Sequence, residues 1–319
     1  MILYGRSYRV NLLSSFVRGK MKIKIGTAPV SWGIMEVEGW NGQAPYAKVL
    51  DEMADAGYEG TELGPYGYLP SEPARLMTEL SSRGLSMVSA FVPLPLAEPE
   101  RHNASFREAM TVAELLANAG ARLIVLAGDM NEARMNVAGR VNKERDGMSE
   151  RNWQDAVDII SRIARACLEM GLSTAFHHHA GTFIETPNEI ERLCATTDPA
   201  LIGLCLDTGH YFYGGGDPVD AVRKYGSRIW HLHLKDVRLP VLESVRREGV
   251  GFLEAVRREA FCELGEGAVD FPGIKQGLID CGYDGWAIVE QDVDASRPGV
   301  QPFESAVRSR CYLRETIGV

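Results

Sequence analysis

The chain has 319 residues and a formal net charge of −9. Its length is enough to bury a substantial core, while the acidic balance argues against a nucleic-acid partner, which needs clustered Lys and Arg. No apolar run approaches the roughly 18 residues of a membrane span, so a cytoplasmic protein with a small-molecule partner is expected.

Residues 1–20 (MILYGRSYRVNLLSSFVRGK) are basic with a short, interrupted apolar stretch, and Met21 opens the first strand-like run. This segment reads as a disordered N-terminal extension and not a signal peptide, whose apolar region is longer. The folded part is therefore placed at 21–319.

From Lys22 onward short β-branched or apolar runs alternate with longer amphipathic stretches, eight times over. The runs are Lys22–Ala28, Gly60–Leu63, Ser86–Val92, Arg122–Ala127, Ser173–His177, Ile202–Asp207, Arg228–Leu234 and Trp286–Glu290. Helical patterns such as Tyr46–Ala56, Glu72–Arg83, Ser105–Ala119 and Trp153–Met170 lie between them, several followed by a glycine, as helix C-termini often are. Repetition of strand and helix implies a parallel sheet, and eight units in just under 300 residues fit a closed (β/α)8 TIM barrel. No Gly-x-Gly-x-x-Gly follows the first run, so the open dinucleotide-binding sheet lacks its fingerprint. The stretch Gly214–Gly216 reads as a loop and helix start.

The stretch 236–265 is longer than an ordinary βα loop and reads as an insertion carrying one helix, about Pro240–Glu259. Long inserts at this face are commonly lids or oligomer contacts, which leaves a homo-oligomer open. Its Arg residues in Val245–Glu259 are interspersed with Glu248, Glu254 and Glu259 and read as a solvated face. The six cysteines have no Cys-x-x-Cys pairing and read as scattered thiols in a reducing compartment.

Chemistry-bearing residues gather where the last four runs end. In IWHLHLKDV (Ile229–Val237) the period of two puts His231, His233 and Lys235 on one face and Leu232 and Leu234 on the other. Burying such groups unpartnered costs roughly 2–7 kcal/mol each, so the stripe needs partners. Asp207 ends the sixth run and either caps the next turn or faces a site; His210 follows. Glu290 ends the eighth run, and the fifth runs into His177-His178-His179 and then Glu185. Asp207, His233 and Glu290, with Glu185 or His177, offer a mixed oxygen and nitrogen set suited to Mn²⁺, Co²⁺, Mg²⁺ or Zn²⁺. Glu62 ends the second run and either faces a substrate or accepts hydrogen bonds from the following turn. Trp32 is either an apolar wall for a sugar ring or a core residue.

The segments LCLDTGHYFYGGGDP, RIWHLHLKDV, ELGEGAVDFPGI and GYDGWAIVEQD resemble the xylose-isomerase-like barrels, which include sugar isomerases, epimerases and endonuclease IV. TAPVSWG, GTELGPYGYLP and FHHHAGTFIETP resemble the inosose dehydratases within them. The likeness spans roughly Met21 to Glu315. It implies a divalent metal, Mn²⁺ or Co²⁺ before Mg²⁺ or Zn²⁺, held by Asp207, His233 and Glu290. Most relatives end the fifth strand in a glutamate where this chain has its histidine run, and Glu185 reaching back from the loop is the favoured fourth ligand.

The resemblance implies a lyase that dehydrates a keto-polyol, 2-keto-myo-inositol, through a metal-stabilised enediolate. His177, His179 and His210 are the candidates for proton transfer. Lys235 either steadies the oxyanion or pairs structurally with Asp236 or Glu290, and Glu62 and Trp32 are the candidate substrate contacts. An isomerase or epimerase shares the first step and is the alternative; a non-catalytic sugar-binding barrel is more remote. His231, one layer deeper, reads as a supporting residue.

Overall fold

A computed structural model describes residues 23–35 and 44–319; the segment 1–20, expected to be disordered, lies outside the described residues. Among the described residues no helix is long and apolar enough to cross a membrane.

The strands are β1 (Lys24–Thr27), β2 (Gly60–Thr61), β3 (Ser86–Met87), β4 (Phe91–Leu94), β5 (Leu123–Gly128), β6 (Ser173–His177), β7 (Ile202–Asp207), β8 (Ile229–Leu234), β9 (Asp236–Val237), β10 (Phe261–Cys262) and β11 (Trp286–Val289). Nine of them hydrogen-bond in the parallel order β3-β2-β1-β11-β8-β7-β6-β5-β4. The first and last members of that order are halves of one chain segment. β3 pairs with β2 and β4 with β5, and the residues between them complete the seam through Val88 N–H to Thr61 O, Leu63 N–H to Ser89 O and Val125 N–H to Ala90 O. The sheet is thus closed as eight staves, the third one broken in the middle.

Helices such as Tyr46–Asp55, Pro73–Ser81, His102–Asn118 and Glu150–Glu169 cover the outside, within two or three residues of the expected spans. Their apolar faces and the outward faces of the strands form the main core, where Leu232 and Leu234 pack with Phe271, Ile274 and Leu278. Inside the ring the lower layer is apolar, with Val125, Ala175 and Cys205 packed together. Gly203 belongs to this floor, and a β-carbon there would overlap the indole of Trp230. The upper layer is polar, because the same alternation carries His177, Asp207, His233 and Glu290 to the mouth.

The insertion 236–265 departs from the expected single helix. It holds two helices, Leu239–Glu248 and Phe252–Arg257, since Gly249 closes the first at φ +73°, a conformation that favours glycine. The antiparallel pair β9 and β10 ties its ends together. Asp236 fixes the return by accepting N–H groups from Val237, Gly265, Gly267 and Val269 at 2.8–3.0 Å, so it is not the partner of Lys235. A second excursion after β5 carries the short helices Glu132–Val137 and Lys143–Asp146. The two excursions share an apolar cluster, including Ala138, Tyr213, Leu242, Phe252 and Phe261, with Met135 against it, and this cluster roofs the mouth of the barrel.

Candidate active site

Below the roof lies a cavity of about 320 Å³ whose lining includes Glu62, His177, His179, Lys235, Glu290 and Asp292, with Val30, Ile34, Phe91 and Phe252 among its apolar members. It stands at the C-terminal ends of the strands, the face at which barrel active sites form.

Ligand-type atoms of His177, Asp207, His233 and Glu290, all buried, lie within 4.8 Å of one another. β6, β7 and β8 carry the first three at their ends, and the residue after β11 supplies the fourth. Asp207 Oδ2 is 3.3 Å from His177 Nε2 and 3.8 Å from His233 Nδ1, and Glu290 Oε2 is 3.1 Å from His233 Nδ1. Asp207 divides its oxygens: Oδ1 accepts the N–H of His210 at 2.7 Å and caps the helix Thr208–Tyr213, while Oδ2 lies within the four-residue group.

Glu185 does not belong to it. Its carboxylate is buried elsewhere and accepts Gly139 N–H at 2.6 Å and Gly181 N–H at 2.7 Å, which ties the excursion after β5 to the loop after β6. Burial pushes this carboxyl up to about 7 against those two hydrogen bonds. Arg134, also buried, lies 4.0 Å away and is paired with Glu189. With both oxygens engaged, Glu185 braces two loops, and the histidine run itself supplies the fourth member of the group.

Trp32 is likewise placed in the main core, its Nε1 donating to Glu52 at 2.6 Å, and not in the cavity wall. Glu62 does face the cavity. Its Oε1 accepts from His231 Nε2 at 2.8 Å, His233 Nε2 at 3.1 Å and Ser89 Oγ at 2.5 Å. A carboxylate can only accept here, so His233 Nε2 carries a proton toward Glu62. Nδ1 is turned toward Asp207 and Glu290, and although burial opposes its charge, the surrounding anions raise the His233 pKa well above the ordinary imidazole value. Burial opposes the charge on Glu62, but the two imidazoles outweigh it and hold the carboxyl well below its usual range. His231 takes its expected place one layer down.

Lys235 is buried with Nζ 2.7 Å from Asp292 Oδ1, 3.3 Å from Glu290 Oε2 and 3.5 Å from Asp207 Oδ2. Burial disfavours its charge, yet Asp207, Asp292 and Glu290 more than compensate and raise its pKa. His210 stands behind it, Nε2 being 2.9 Å from Nζ, and its ring lies 3.8 Å, centroid to centroid, from that of His179. His179 Nδ1 is 2.7 Å from Ala180 O; a carbonyl only accepts, so Nδ1 carries the proton and Nε2 is the basic nitrogen of the neutral ring. Burial holds His179 well below the ordinary imidazole value and His177 down at about 4. Six of the chain's seven histidines thus stand in one connected set of ring contacts.

Asp292 was not anticipated. It follows the last strand in an irregular segment, and the available signal was its spacing from Glu290, two residues on, which keeps an extended chain on the same face. The carboxylates of Glu62, Asp207, Glu290 and Asp292 are all buried, four acids against the Lys235 ammonium and the His233 ring whose charge they favour. Among the described residues buried His177 Nδ1 and His233 Nδ1 make no hydrogen bond, the latter although Glu290 Oε2 lies 3.1 Å away. Excess buried anions and free imidazole nitrogens suit a divalent cation, which would supply the charge that burial otherwise penalises.

The model of the xylose isomerase-like TIM barrel family matches residues 50–315. Inosose dehydratase of Geobacillus thermodenitrificans (strain NG80-2) is 35% identical over 300 residues, 93% of this chain and 98% of the relative. That of Geobacillus kaustophilus (strain HTA426) is 36% identical over 294 residues, 91% and 93% of the two chains. Among solved structures, the IOLI protein with a bound zinc atom superposes with a TM-score of 0.68 at 15% identity, covering 93% of this chain and 98% of that one. The protein is an enzyme, a lyase in common with the dehydratases it resembles over 91–93% of its length, and the chain belongs to the xylose isomerase-like TIM barrel family.

Proposed function

We propose that the protein is a metal-dependent dehydratase acting on a keto-polyol, with 2-keto-myo-inositol as its substrate and Mn²⁺ or Co²⁺ as its ion. The observation that carries this reading is the four-residue group of His177, Asp207, His233 and Glu290 under a roofed cavity; the relatives' names supply the substrate. These four residues would hold the ion, which when bound supplies Lewis-acid polarisation of a ketone oxygen.

The chain's own groups do the rest. His179, which lines the cavity, takes the proton from the carbon beside the ketone through Nε2. His177 lines the same cavity and serves as ligand in this reading instead of as proton carrier. Lys235 presents a permanent positive charge to negative charge developing on substrate oxygen, held in place by Asp292 and backed by His210. In the elimination the C–H bond breaks and a C=C bond forms. The neighbouring C–O bond then breaks with its electron pair going to oxygen, and the hydroxide leaves as water with the proton His179 took from carbon, so His179 returns to its neutral form and Lys235 keeps its charge. Glu62 keeps His233 in the tautomer the group requires, and the apolar roof excludes bulk water.

Incubation of the Mn²⁺- or Co²⁺-loaded protein with 2-keto-myo-inositol in deuterated water, followed by NMR, tests the reading. A dehydrated dione is the expected product. Deuterium entering an otherwise unchanged skeleton, without dione, would assign an epimerase or isomerase, and no metal-dependent change would leave only a binding protein.

A further inference from the structure

The cavity wall carries a carboxylate that the mechanism leaves unused. Asp129 follows β5, the stave between the broken third one and the one that carries His177, and lines the same cavity. Its backbone is pinned by an N–H bond to Leu94 O at 2.8 Å. Its side chain is differently placed from the other acids there. Glu62 takes three donors, Asp292 accepts from Lys235, and Glu290 has two cationic neighbours, His233 Nδ1 at 3.1 Å and Lys235 Nζ at 3.3 Å. Asp129 accepts no hydrogen bond from another residue among the described ones. Its ion partner, Arg101, stays 3.7 Å away and is bound instead to Glu98 through contacts of 3.2 Å to each oxygen.

A partly buried carboxylate without donors is an acceptor waiting for them, since an ionised carboxyl offers about four lone-pair sites and no proton. Burial and the nearby charge of Glu98 push it up to about 6, consistent with an acid whose surroundings do not satisfy it. An anionic ligand would meet repulsion at this position; hydroxyl groups would not. Around Asp129 the wall is largely apolar, with Pro93, Phe91 and the half-exposed Met130, surface suited to the CH face of a ring.

Building on the proposed activity, we infer that Asp129 is a substrate-binding residue, accepting hydrogen bonds from hydroxyl groups of an uncharged polyol ring at the end remote from the reacting carbons. It sets affinity and selects neutral polyols over anionic ones, and it takes no part in bond breaking.

Steady-state kinetics on 2-keto-myo-inositol with Mn²⁺ test the inference in wild type and Asp129→Asn. The substitution is expected to raise KM about tenfold or more, the size of a hydrogen bond to a charged group, with kcat within about twofold and with bound Mn²⁺ and melting temperature unchanged. An unchanged KM, or a loss confined to kcat, overturns it. If wild type does not convert 2-keto-myo-inositol, the activity reading fails separately, and calorimetric titration with myo-inositol decides this inference. Binding by wild type that Asp129→Asn weakens about tenfold supports it; equal binding, or none by wild type, overturns it.

Discussion

Oε1 of Glu62, at the end of β2, lies 3.1 Å from Nε2 of His233 on β8, so one side of the barrel sets the tautomer of an imidazole on another. Carboxylate partners of this kind typically change metal affinity 10–100-fold when removed. Glu62→Ala is therefore expected to weaken Co²⁺ or Mn²⁺ binding by about that factor, measured by calorimetry on the chelator-treated protein. Unaltered affinity would remove Glu62 from the ligand arrangement.

The fourth-ligand question separates two residues eight positions apart. His177→Ala is expected to lose the bound ion, and Glu185→Ala to keep it while loosening the roof. Metal analysis of the two purified variants is sufficient, and the reverse pattern would restore the glutamate to the group.

Glu185 also predicts a pH dependence of stability. Its folded pKa of about 7 stands above its ordinary 4.5, so the folded state binds more protons between those values and stability falls as pH rises through that window. The contribution is about 3–4 kcal/mol at about 1.4 kcal/mol per unit. Glu185→Gln loses one acceptor for the two N–H donors and should be the less stable protein at pH 5, the gap narrowing by pH 8. Denaturant melts at both pH values check this, and a gap that widens would contradict it.

Asp292→Asn removes the closest counter-charge of Lys235, 2.7 Å from Nζ. Turnover is expected to fall about 100–1,000-fold, as for loss of one electrostatic contact in a reaction site, with bound metal retained. Loss of metal together with turnover would place Asp292 among the ligands instead.

Much of this architecture was legible beforehand. Alternation over IWHLHLKDV put His233 and Lys235 inward and Leu232 and Leu234 outward, because a strand has only two faces. The break in the third stave was hidden, since Ser86–Val92 reads as one extended run and its switch of partner at Val88–Ala90 depends on closing the ring. Glu185 misled for a related reason. Its carboxylate is satisfied by Gly139, 46 residues away, in an excursion that carries no periodic signal. Trp32 found Glu52 in the same non-local way.

The central claim is a metal ion on His177, Asp207, His233 and Glu290 that serves dehydration. Protein stripped with chelator and titrated with Co²⁺ should take up one ion per chain, and conversion of 2-keto-myo-inositol to the dione should rise in step with it. Dione formation that persists undiminished in the stripped protein, or stoichiometric uptake that survives Asp207→Ala together with His233→Ala, would contradict the account.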